Sequence, residues 1–284
     1  MLHREFSWIS SRDIKIYGQT WMPSKEDGEF KAVVCLVHGL GEHSTRYKIL
    51  PRVLIKNGYA LIAFDQPGHG KSGGKRGHTP DYEAYMDNIT ALLDKAAKLY
   101  PGKDRFLYGH SLGGNLVVNY SLRHKPDIKG VIATGPWFRL THPPGKFIQK
   151  FARWLDKFWP SFRTFNGIKP VYLSSNGVKN VTRERDKYLH PWISVRTYLT
   201  AEETGRWALE HAGELQYPIL ILHGGEDHVT SAESSKQFAS KVNTNCTIQV
   251  YEGLFHEIHN EPRNQEIFAK IIGWLNSQVN QSVI

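Results

Sequence analysis

The sequence has 284 residues, about twice the usual domain size, so it can form either two modest domains or one large α/β domain with an insertion. Its apolar fraction of 40% excludes a disordered chain, and its longest apolar stretches are far shorter than the ~20 residues of a membrane-spanning helix. The 36 basic residues exceed the 27 acidic residues, which is compatible with a nucleic acid, an anionic membrane or an acidic ligand as partner.

Short strand-like runs alternate along the chain with amphipathic segments. An early hairpin is predicted, with its turn at residues 10–12. Six later runs have the apolar, β-branched composition of buried strands: 32–37, 60–64, 105–108, 130–133, 219–222 and 247–251. Helices are predicted at 47–56, 82–100, 112–124, 231–242 and 264–279. This alternation indicates βαβ crossovers, so we predict an α/β fold with a mostly parallel, eight-stranded sheet flanked by helices.

The regular spacing of the strands breaks after residue 133. More than 80 residues separate this point from the next strand, whereas a crossover needs only about a dozen. We therefore predict a cap inserted after the sixth strand at residues 137–200, with residues 1–136 and 201–284 forming the two parts of the core. An apolar stripe in the cap has helical spacing, and we expect some of its aromatic side chains to be packed and a few to be exposed. The stripe comprises Phe147, Ile148, Phe151, Trp154, Leu155, Phe158 and Trp159.

Two further features bear on where the protein acts. The first residues include an acid and lack an apolar core, so they do not form a secretory signal, and we expect a cytoplasmic protein. Cys35 and Cys246 both lie in strand-like runs, where free thiols are expected rather than a disulfide framework.

A nucleophile motif follows the predicted strand 105–108. The string Gly109-His110-Ser111-Leu112-Gly113 has the form G-x-S-x-G and leads directly into a predicted helix. A turn at this point would expose the Ser111 hydroxyl at the carboxyl edge of the sheet, where α/β proteins bind their ligands. We therefore predict that Ser111 is a nucleophile; a glycine-rich phosphate or turn loop is the alternative.

A serine nucleophile needs a base and an acid that orients the base. Asp227 follows the predicted strand 219–222, and His256 follows the last strand, so the order Ser111, Asp227, His256 is that of the α/β-hydrolases. Glu226 is the rival acid, and His228 is expected at the surface or behind the site.

An oxyanion hole is expected from two backbone amides. The amide of Leu112 follows the nucleophile directly, and the second donor should come from the loop after strand 32–37, where we choose Leu40.

Three other patterns imitate cofactor or metal motifs. Residues 68–73 have the form G-x-G-x-x-G, but one long helix follows where a dinucleotide-binding unit needs a second strand. Gly70-Lys71-Ser72 has Asp65 in place of the upstream glycine of a P-loop. The second histidine of a zinc motif that starts at His256 would fall on Asn260. We therefore predict neither a cofactor nor a metal.

These residues together resemble the monoacylglycerol lipase and lysophospholipase branch of the serine α/β-hydrolases, a group of serine aminopeptidase S33-like hydrolases. The resemblance covers about residues 31–275 and is carried by the segments 38–47, 65–72, 109–114 and 251–261. It implies the α/β-hydrolase fold, with a mobile cap over an acyl tunnel and a polar pocket for glycerol. By the same resemblance, the residues that hold the substrate would be Glu42, Arg46, His259, Glu184 and Tyr188. For Glu42 and Arg46, a surface pair at the start of a helix is the alternative.

The resemblance predicts a cofactor-free serine esterase that cleaves monoacylglycerol to fatty acid and glycerol. A lysophospholipase is the alternative, because the phosphate of its substrate would suit the basic cap. A broad carboxylesterase is a further alternative. A peptidase is also compatible with the motif, since nothing in it distinguishes an ester from an amide. The complete triad argues against a nonenzymatic lipid-binding protein.

The positive charge is concentrated in the predicted cap. Residues 137–187 hold 11 basic and 3 acidic residues, so eight of the nine excess charges lie in this segment. Above a lipase site, that concentration predicts reversible contact of the cap with an anionic membrane and argues against nucleic acid; a solvated polar face is the alternative.

Overall fold

The computed structural model describes residues 1–24, 29–177 and 185–280. Its central element is an eight-stranded sheet. The described residues contain ten strands, of which the seventh and eighth form a separate small sheet. The strands in chain order are β1 (Leu2–Ile9), β2 (Lys15–Met22), β3 (Ala32–Val37), β4 (Tyr59–Phe64), β5 (Asp104–His110), β6 (Gly130–Thr134), β7 (Arg163–Phe165), β8 (Trp192–Ser194), β9 (Ile219–Gly224) and β10 (Cys246–Tyr251).

The large sheet has the order β1-β2-β4-β3-β5-β6-β9-β10. The hairpin β1–β2 is antiparallel, and β2 also pairs antiparallel with β4, whereas the pairs from β4 to β10 are all parallel. This arrangement confirms the predicted α/β fold with a mostly parallel sheet. Each of the six predicted buried runs forms a strand within two residues of its expected bounds.

Helices cover both faces of the sheet, which explains why its strands are apolar at every position. In β3, Val33, Cys35 and Val37 belong to one core cluster, and the alternating residues Ala32, Val34 and Leu36 belong to the other. The described helices are α1 (Ile49–Lys56), α2 (Glu83–Leu99), α3 (Leu112–His124), α4 (Lys146–Phe158), α5 (Val195–His211), α6 (Ala232–Ala239) and α7 (Asn264–Asn280). Helices α1 and α7 cover one face, and α2, α3, α5 and α6 cover the other.

Helix α5 was not among the predicted helices, and the expected end of the cap at residue 200 falls inside it. Asn115 of α3 donates to the backbone oxygen of Ala201 (3.0 Å), and Thr204 donates to Asn115 Oδ1 (2.9 Å). The second half of α5 is therefore packed on the core helix α3. Its first half contacts α4 of the predicted cap through Val195 and Leu199.

The sheet places the predicted site loops together. Strands β3, β5, β9 and β10 run in the same direction, so the loops that follow them meet at one edge. Both cysteines have free thiols, as predicted. Among the helices of the described ranges, none combines the length and apolar character that crossing a bilayer requires.

Candidate active site

Ser111 lies on a sharp turn between β5 and α3. Its backbone angles are φ 54° and ψ −117°, in a region that residues with side chains rarely adopt. Two backbone hydrogen bonds connect the turn to the segment at the end of β6: Ser111 N donates to Thr134 O (2.9 Å), and Trp137 N donates to Ser111 O (3.0 Å). Both partners lie at or just after the end of β6, so the neighbouring strand fixes the strained residue in place.

The glycines on either side of Ser111 are required by close packing. A Cβ atom on Gly109 would collide with the backbone oxygen of Gly113, and one on Gly113 would collide with the backbone oxygen of Val37. Any side chain at these positions would therefore push α3 away from β5 or β3.

The acid nearest to His256 is Asp227. Asp227 Oδ2 lies 2.7 Å from His256 Nδ1, and Oδ1 accepts hydrogen bonds from the backbone amides of Val229 (2.7 Å) and Thr230 (2.9 Å). Asp227 is buried, whereas the rival Glu226 is exposed to solvent. The structure therefore brings Asp227, and not Glu226, to the imidazole.

Asp227 and His256 each shift the pKa of the other toward the charged form. Burial alone would raise the pKa of the Asp227 carboxyl, but His256 and His223 beside it lower the pKa well below its ordinary value, so Asp227 is ionised at neutral pH. Burial lowers the pKa of His256, and the negative charges of Asp227, Glu257 and Glu42 raise it above the ordinary value. An imidazole made more basic by a buried carboxylate is suited to accept a proton.

Ser111 and His256 both line a cavity of about 320 Å³. Glu42, His110 and Glu257 supply polar groups to its wall. The apolar part of the wall comes largely from the predicted cap, through residues that include Ile148, Phe151, Leu155, Phe162, Leu173 and Ile193. The cavity therefore combines a long apolar surface with a few polar groups, as small-molecule sites do.

The loop after β3 approaches the candidate nucleophile closely. A Cβ atom on Gly39 would lie 3.1 Å from Ser111 Cβ, and Glu42 Oε1 accepts a hydrogen bond from Gly39 N (2.7 Å). Leu40, the next residue, lines the cavity. Within the described residues, the amides of Leu40 and Leu112 donate to no backbone carbonyl. Their role as an oxyanion hole stays a prediction.

The residues expected to hold the substrate divide into two groups. Among those that the structure describes, Glu42 lines the cavity with Ser111, whereas Arg46 and Tyr188 line a second cavity of about 330 Å³. His259 is stacked on Tyr47, with ring centroids 4.7 Å apart, and does not line the Ser111 cavity. Glu184 lies outside the described residues.

Arg46 is paired with two carboxylates of the cavity wall. Its Nη1 and Nη2 donate to Glu257 Oε1 and Oε2, both at 2.7 Å, and Nη1 also donates to Glu42 Oε2 at 3.1 Å. Burial raises the pKa of Glu42, but Arg46 and His110 lower it to about 2. Arg46 thus lies in a buried ion network that holds two residues of the cavity wall, and its contact with substrate stays a prediction. The alternative of a surface pair is wrong, because Glu42 is buried and the Arg46 side chain is mostly buried.

Three residues of the site had no role in the sequence analysis. Glu257 follows His256 directly and lines the cavity. The ring of His110 lies 4.8 Å from that of His256, and burial lowers the pKa of His110 to about 3, so this ring is neutral. His223 lies 3.1 Å from Asp227 Oδ2. His110 and Glu257 lie in segments that carry the family resemblance, and His223 directly follows the predicted strand 219–222. Their nearness in sequence to Ser111, His256 and Asp227 was the available signal.

The cap helix α4 presents its aromatic side chains to solvent. Ala152 packs against Val195 and Leu199 of α5 in a small core. The five aromatic residues of the stripe are all more than half exposed, and Phe147 is 90% exposed. The expected division into packed and exposed aromatics is therefore wrong, because α4 packs on α5 through a narrow strip around Ala152 and Leu155. The bases on α4 and at its start are exposed as well: Lys146, Lys150, Arg153 and Lys157.

A family model of the serine aminopeptidase S33 hydrolases matches residues 28–263. The chain belongs to this family. The resemblance found in the motifs of this S33 hydrolase is thereby confirmed, and the match includes Ser111, Asp227 and His256.

Three curated relatives of this S33 hydrolase match most of its length, and two of them have named activities. A monoacylglycerol lipase of Mycolicibacterium smegmatis is 26% identical over 276 residues, which cover 97% of this chain and 98% of that protein. Phospholipase YtpA of Bacillus subtilis is 29% identical over 240 residues, which cover 84% of this chain and 92% of that protein. An uncharacterised abhydrolase domain-containing protein of Dictyostelium discoideum is 30% identical over 93% of this chain, which spans only 28% of that longer protein.

Among solved structures, the crystal structure of Paleococcus ferrophilus monoacylglycerol lipase is similar over most of the chain. The two superpose with a TM-score of 0.84 and 32% sequence identity, over 93% of this chain and 99% of that one. This similarity confirms the α/β-hydrolase fold of the S33 hydrolase.

Proposed function

We propose that this S33 hydrolase cleaves the ester bond of monoacylglycerols, with Ser111 as nucleophile, His256 as general base and Asp227 as the acid that orients the base. By its family and relatives, the chain is a carboxylic ester hydrolase that acts on lipids. The proposal adds the monoacylglycerol substrate and the roles of the three residues. One observation carries it: a strained serine and a buried histidine that is paired with Asp227 line the same cavity, whose remaining wall is mostly apolar.

The geometry supports a two-step reaction. Ser111 Oγ attacks the ester carbon while its proton passes to His256, and the amides of Leu40 and Leu112 stabilise the oxyanion. The imidazolium then gives the proton to the leaving glycerol oxygen, and an acyl-enzyme forms on Ser111. A water molecule then gives a proton to His256 and attacks the acyl carbon. The bond from that carbon to Ser111 Oγ breaks, the fatty acid leaves, and Oγ takes the proton back from His256. Asp227 stays ionised throughout and stabilises the imidazolium.

The electrostatics of the cavity favour a neutral alcohol group. Glu42 and Glu257 share the single charge of Arg46, so this part of the wall carries a net negative charge. A substrate phosphate would be repelled there, whereas the hydroxyl groups of glycerol can donate to carboxylates. Along the apolar wall, each methylene of a fatty chain that leaves water contributes ~0.8 kcal/mol to binding.

A lysophospholipase is the second candidate, and a separate observation favours it. The exposed bases of α4 lie on the element that also supplies Ile148, Phe151 and Leu155 to the cavity wall. A phosphate that remained at the surface of the cap would meet these positive charges instead of Glu42.

The cap itself is part of the proposal. We propose that the cap comprises residues 137–200, although α5 joins it to the core. We also propose that α4 makes reversible contact with an anionic membrane. Exposed aromatic residues beside exposed lysines and arginines are typical of helices that lie in the membrane interface. At about 1 kcal/mol for each basic residue near the surface, the four bases give docking that is readily reversed.

Hydrolysis of two substrate series tests the proposal. Purified wild type and Ser111→Ala are compared on monoacylglycerols and on lysophosphatidylcholines of matched chain length. We expect wild type to prefer monooleoylglycerol and Ser111→Ala to be folded but inactive. A preference for lysophosphatidylcholine would establish the second candidate instead. Retained turnover in Ser111→Ala would remove Ser111 from the mechanism, and failure of a fluorophosphonate to label wild type would indicate a nonenzymatic binding protein.

A further inference from the structure

A second buried histidine lies against the acid of the candidate triad. His223 is the next-to-last residue of β9, and its side chain has no exposed surface. Its Nε2 lies 3.1 Å from Asp227 Oδ2 and 3.0 Å from the backbone oxygen of Thr230. On the other side of the ring, Nδ1 lies 2.8 Å from Ser235 Oγ. The ring therefore connects Asp227 to helix α6.

The partners of the ring determine which nitrogen carries a hydrogen. The backbone oxygen of Thr230 and the ionised carboxylate of Asp227 can only accept hydrogen bonds, so Nε2 of His223 must be the donor. In the neutral ring, Nδ1 then accepts a hydrogen bond from the Ser235 hydroxyl. Both nitrogens are satisfied in this tautomer, as is expected of a fully buried polar side chain.

Asp227 Oδ2 is thus shared between two histidines. His256 Nδ1 lies 2.7 Å from this oxygen, and the hydroxyl of Thr230 lies 2.9 Å from it. The other oxygen, Oδ1, is occupied by two backbone amides. A hydrogen bond to a carboxylate stabilises its charged form and makes it a weaker base. The N–H of His223 therefore acts on the same oxygen that holds the proposed catalytic base.

We propose that His223 is a positioning residue that holds the Asp227 carboxylate toward His256 and limits the attraction of Asp227 for the proton on His256. This inference rests on the proposed function, because it assumes that His256 is the base. Other titratable groups that face His256 are Glu42, Glu257, His110 and His259. Within the described ranges, none of these four is hydrogen-bonded to His223, so its effect reaches His256 through Asp227.

Two polar substitutions separate the two sides of the ring. In His223→Gln, the amide nitrogen reaches the position of Nε2 and still donates to Asp227, whereas the contact with Ser235 is lost. In His223→Asn, the shorter amide reaches only the position of Nδ1, so the contact with Ser235 is kept and the one with Asp227 is lost. Ser235→Ala is the matched control that removes the Ser235 hydroxyl and leaves the ring intact.

The readout is the pH dependence of kcat/KM with monooleoylglycerol. In His223→Asn we expect the acidic limb to move upward by about 0.5 pH unit, because Asp227 becomes a stronger base toward His256. His223→Gln and Ser235→Ala should keep the wild-type limb. The proposal is overturned if folded His223→Asn has the same acidic limb as wild type, or if the acidic limb shifts equally in all three variants. His223 would then only connect β9 to α6.

A second measurement covers the case in which His223→Asn does not fold. Nitrogen-15 NMR of wild type identifies the protonated ring nitrogen of His223 at neutral pH. A proton on Nε2 supports the inference, and a proton on Nδ1 alone overturns it. If wild type shows no Ser111-dependent ester hydrolysis, the proposed function fails, and the NMR result still reports separately on whether Nε2 of His223 carries the hydrogen that can be donated to Asp227.

Discussion

Replacing Arg46 should destabilise the protein through the buried ion network of the candidate site. Its guanidinium donates to Glu257 at 2.7 Å through both nitrogens and to Glu42 at 3.1 Å, and its side chain is only 10% exposed. Arg46→Met keeps most of the side-chain volume but leaves two carboxylates buried without their cation. Removing one partner of a buried ion pair typically costs ~3–5 kcal/mol, because the remaining charge is uncompensated.

The pKa of Glu42 gives an independent figure for the same network. Burial raises this pKa, but Arg46 and His110 lower it from 4.5 to about 2. A difference of this size between the folded and unfolded chains corresponds to ~3 kcal/mol of stability, since one pKa unit equals ~1.4 kcal/mol. Because the pKa is lower in the folded state, this stability is fully present above pH 4.5 and is lost as the pH falls toward 2.

Urea unfolding of wild type and Arg46→Met at neutral pH measures the effect. We expect the free energy of unfolding to fall by ~3 kcal/mol in the variant and to depend less on pH in the acidic range. Arg12→Met is the control, because Arg12 forms an exposed ion pair with Asp81 and should affect stability little. A loss below ~1 kcal/mol in Arg46→Met would refute the reasoning, since the two carboxylates would then tolerate burial without the cation.

Three further predictions concern catalysis and the cap. Asp227→Asn should lower kcat by ~10⁴-fold, because an amide favours the wrong tautomer of His256. Glu226→Gln should leave kcat unchanged, because Glu226 is exposed to solvent. Steady-state kinetics of both variants decides between the two acids. The acidic limb of kcat/KM should have its midpoint above pH 6.5, because protonated imidazole accepts no proton and the pKa of His256 is raised. Burial lowers this pKa, but Asp227 raises it above the ordinary value of 6.5. A midpoint below 6.5 in the pH profile would contradict this. Phe147→Ser and Phe158→Ser should weaken cosedimentation with anionic vesicles without lowering Tm, because these side chains are 90% and 71% exposed; a matching fall in Tm would instead assign them to packing.

The sheet and the loops of the site were predictable because their signals are local. Buried parallel strands are apolar at every position, and the residues of the candidate triad lie on the turn or in the loops that follow strands. Once the strands are parallel, their carboxyl ends must meet at one edge. The positions of Ser111, Asp227 and His256 at that edge therefore followed from order along the chain alone.

Helix α5 escaped prediction because its buried face is made of small residues. Thr197, Ala201, Thr204 and Ala208 contact the core, and large apolar residues are rare on this face. A periodicity of large apolar side chains, which marked the other core helices, is absent from it. The helix is instead held by hydrogen bonds to Asn115, which only the folded structure reveals.

The surroundings of Arg46 depended on a contact between distant parts of the chain. Glu257 lies 211 residues away in sequence and reaches Arg46 only because the loops after β3 and β10 share one edge of the sheet. The spacing of Glu42 and Arg46 indicated a pair but not its burial. In the cap, periodicity identified the amphipathic helix, but the same pattern fits a packed face and an exposed one.

Detection of an acyl group on Ser111 tests the central claim most directly. Wild type is mixed with monooleoylglycerol and quenched in acid within the first turnovers, and the digested protein is examined by mass spectrometry. We predict an oleoyl group on the peptide that contains Ser111, and none on the same peptide from Ser111→Ala. Release of oleate with no modification of Ser111, and at an equal rate by Ser111→Ala, would contradict the account.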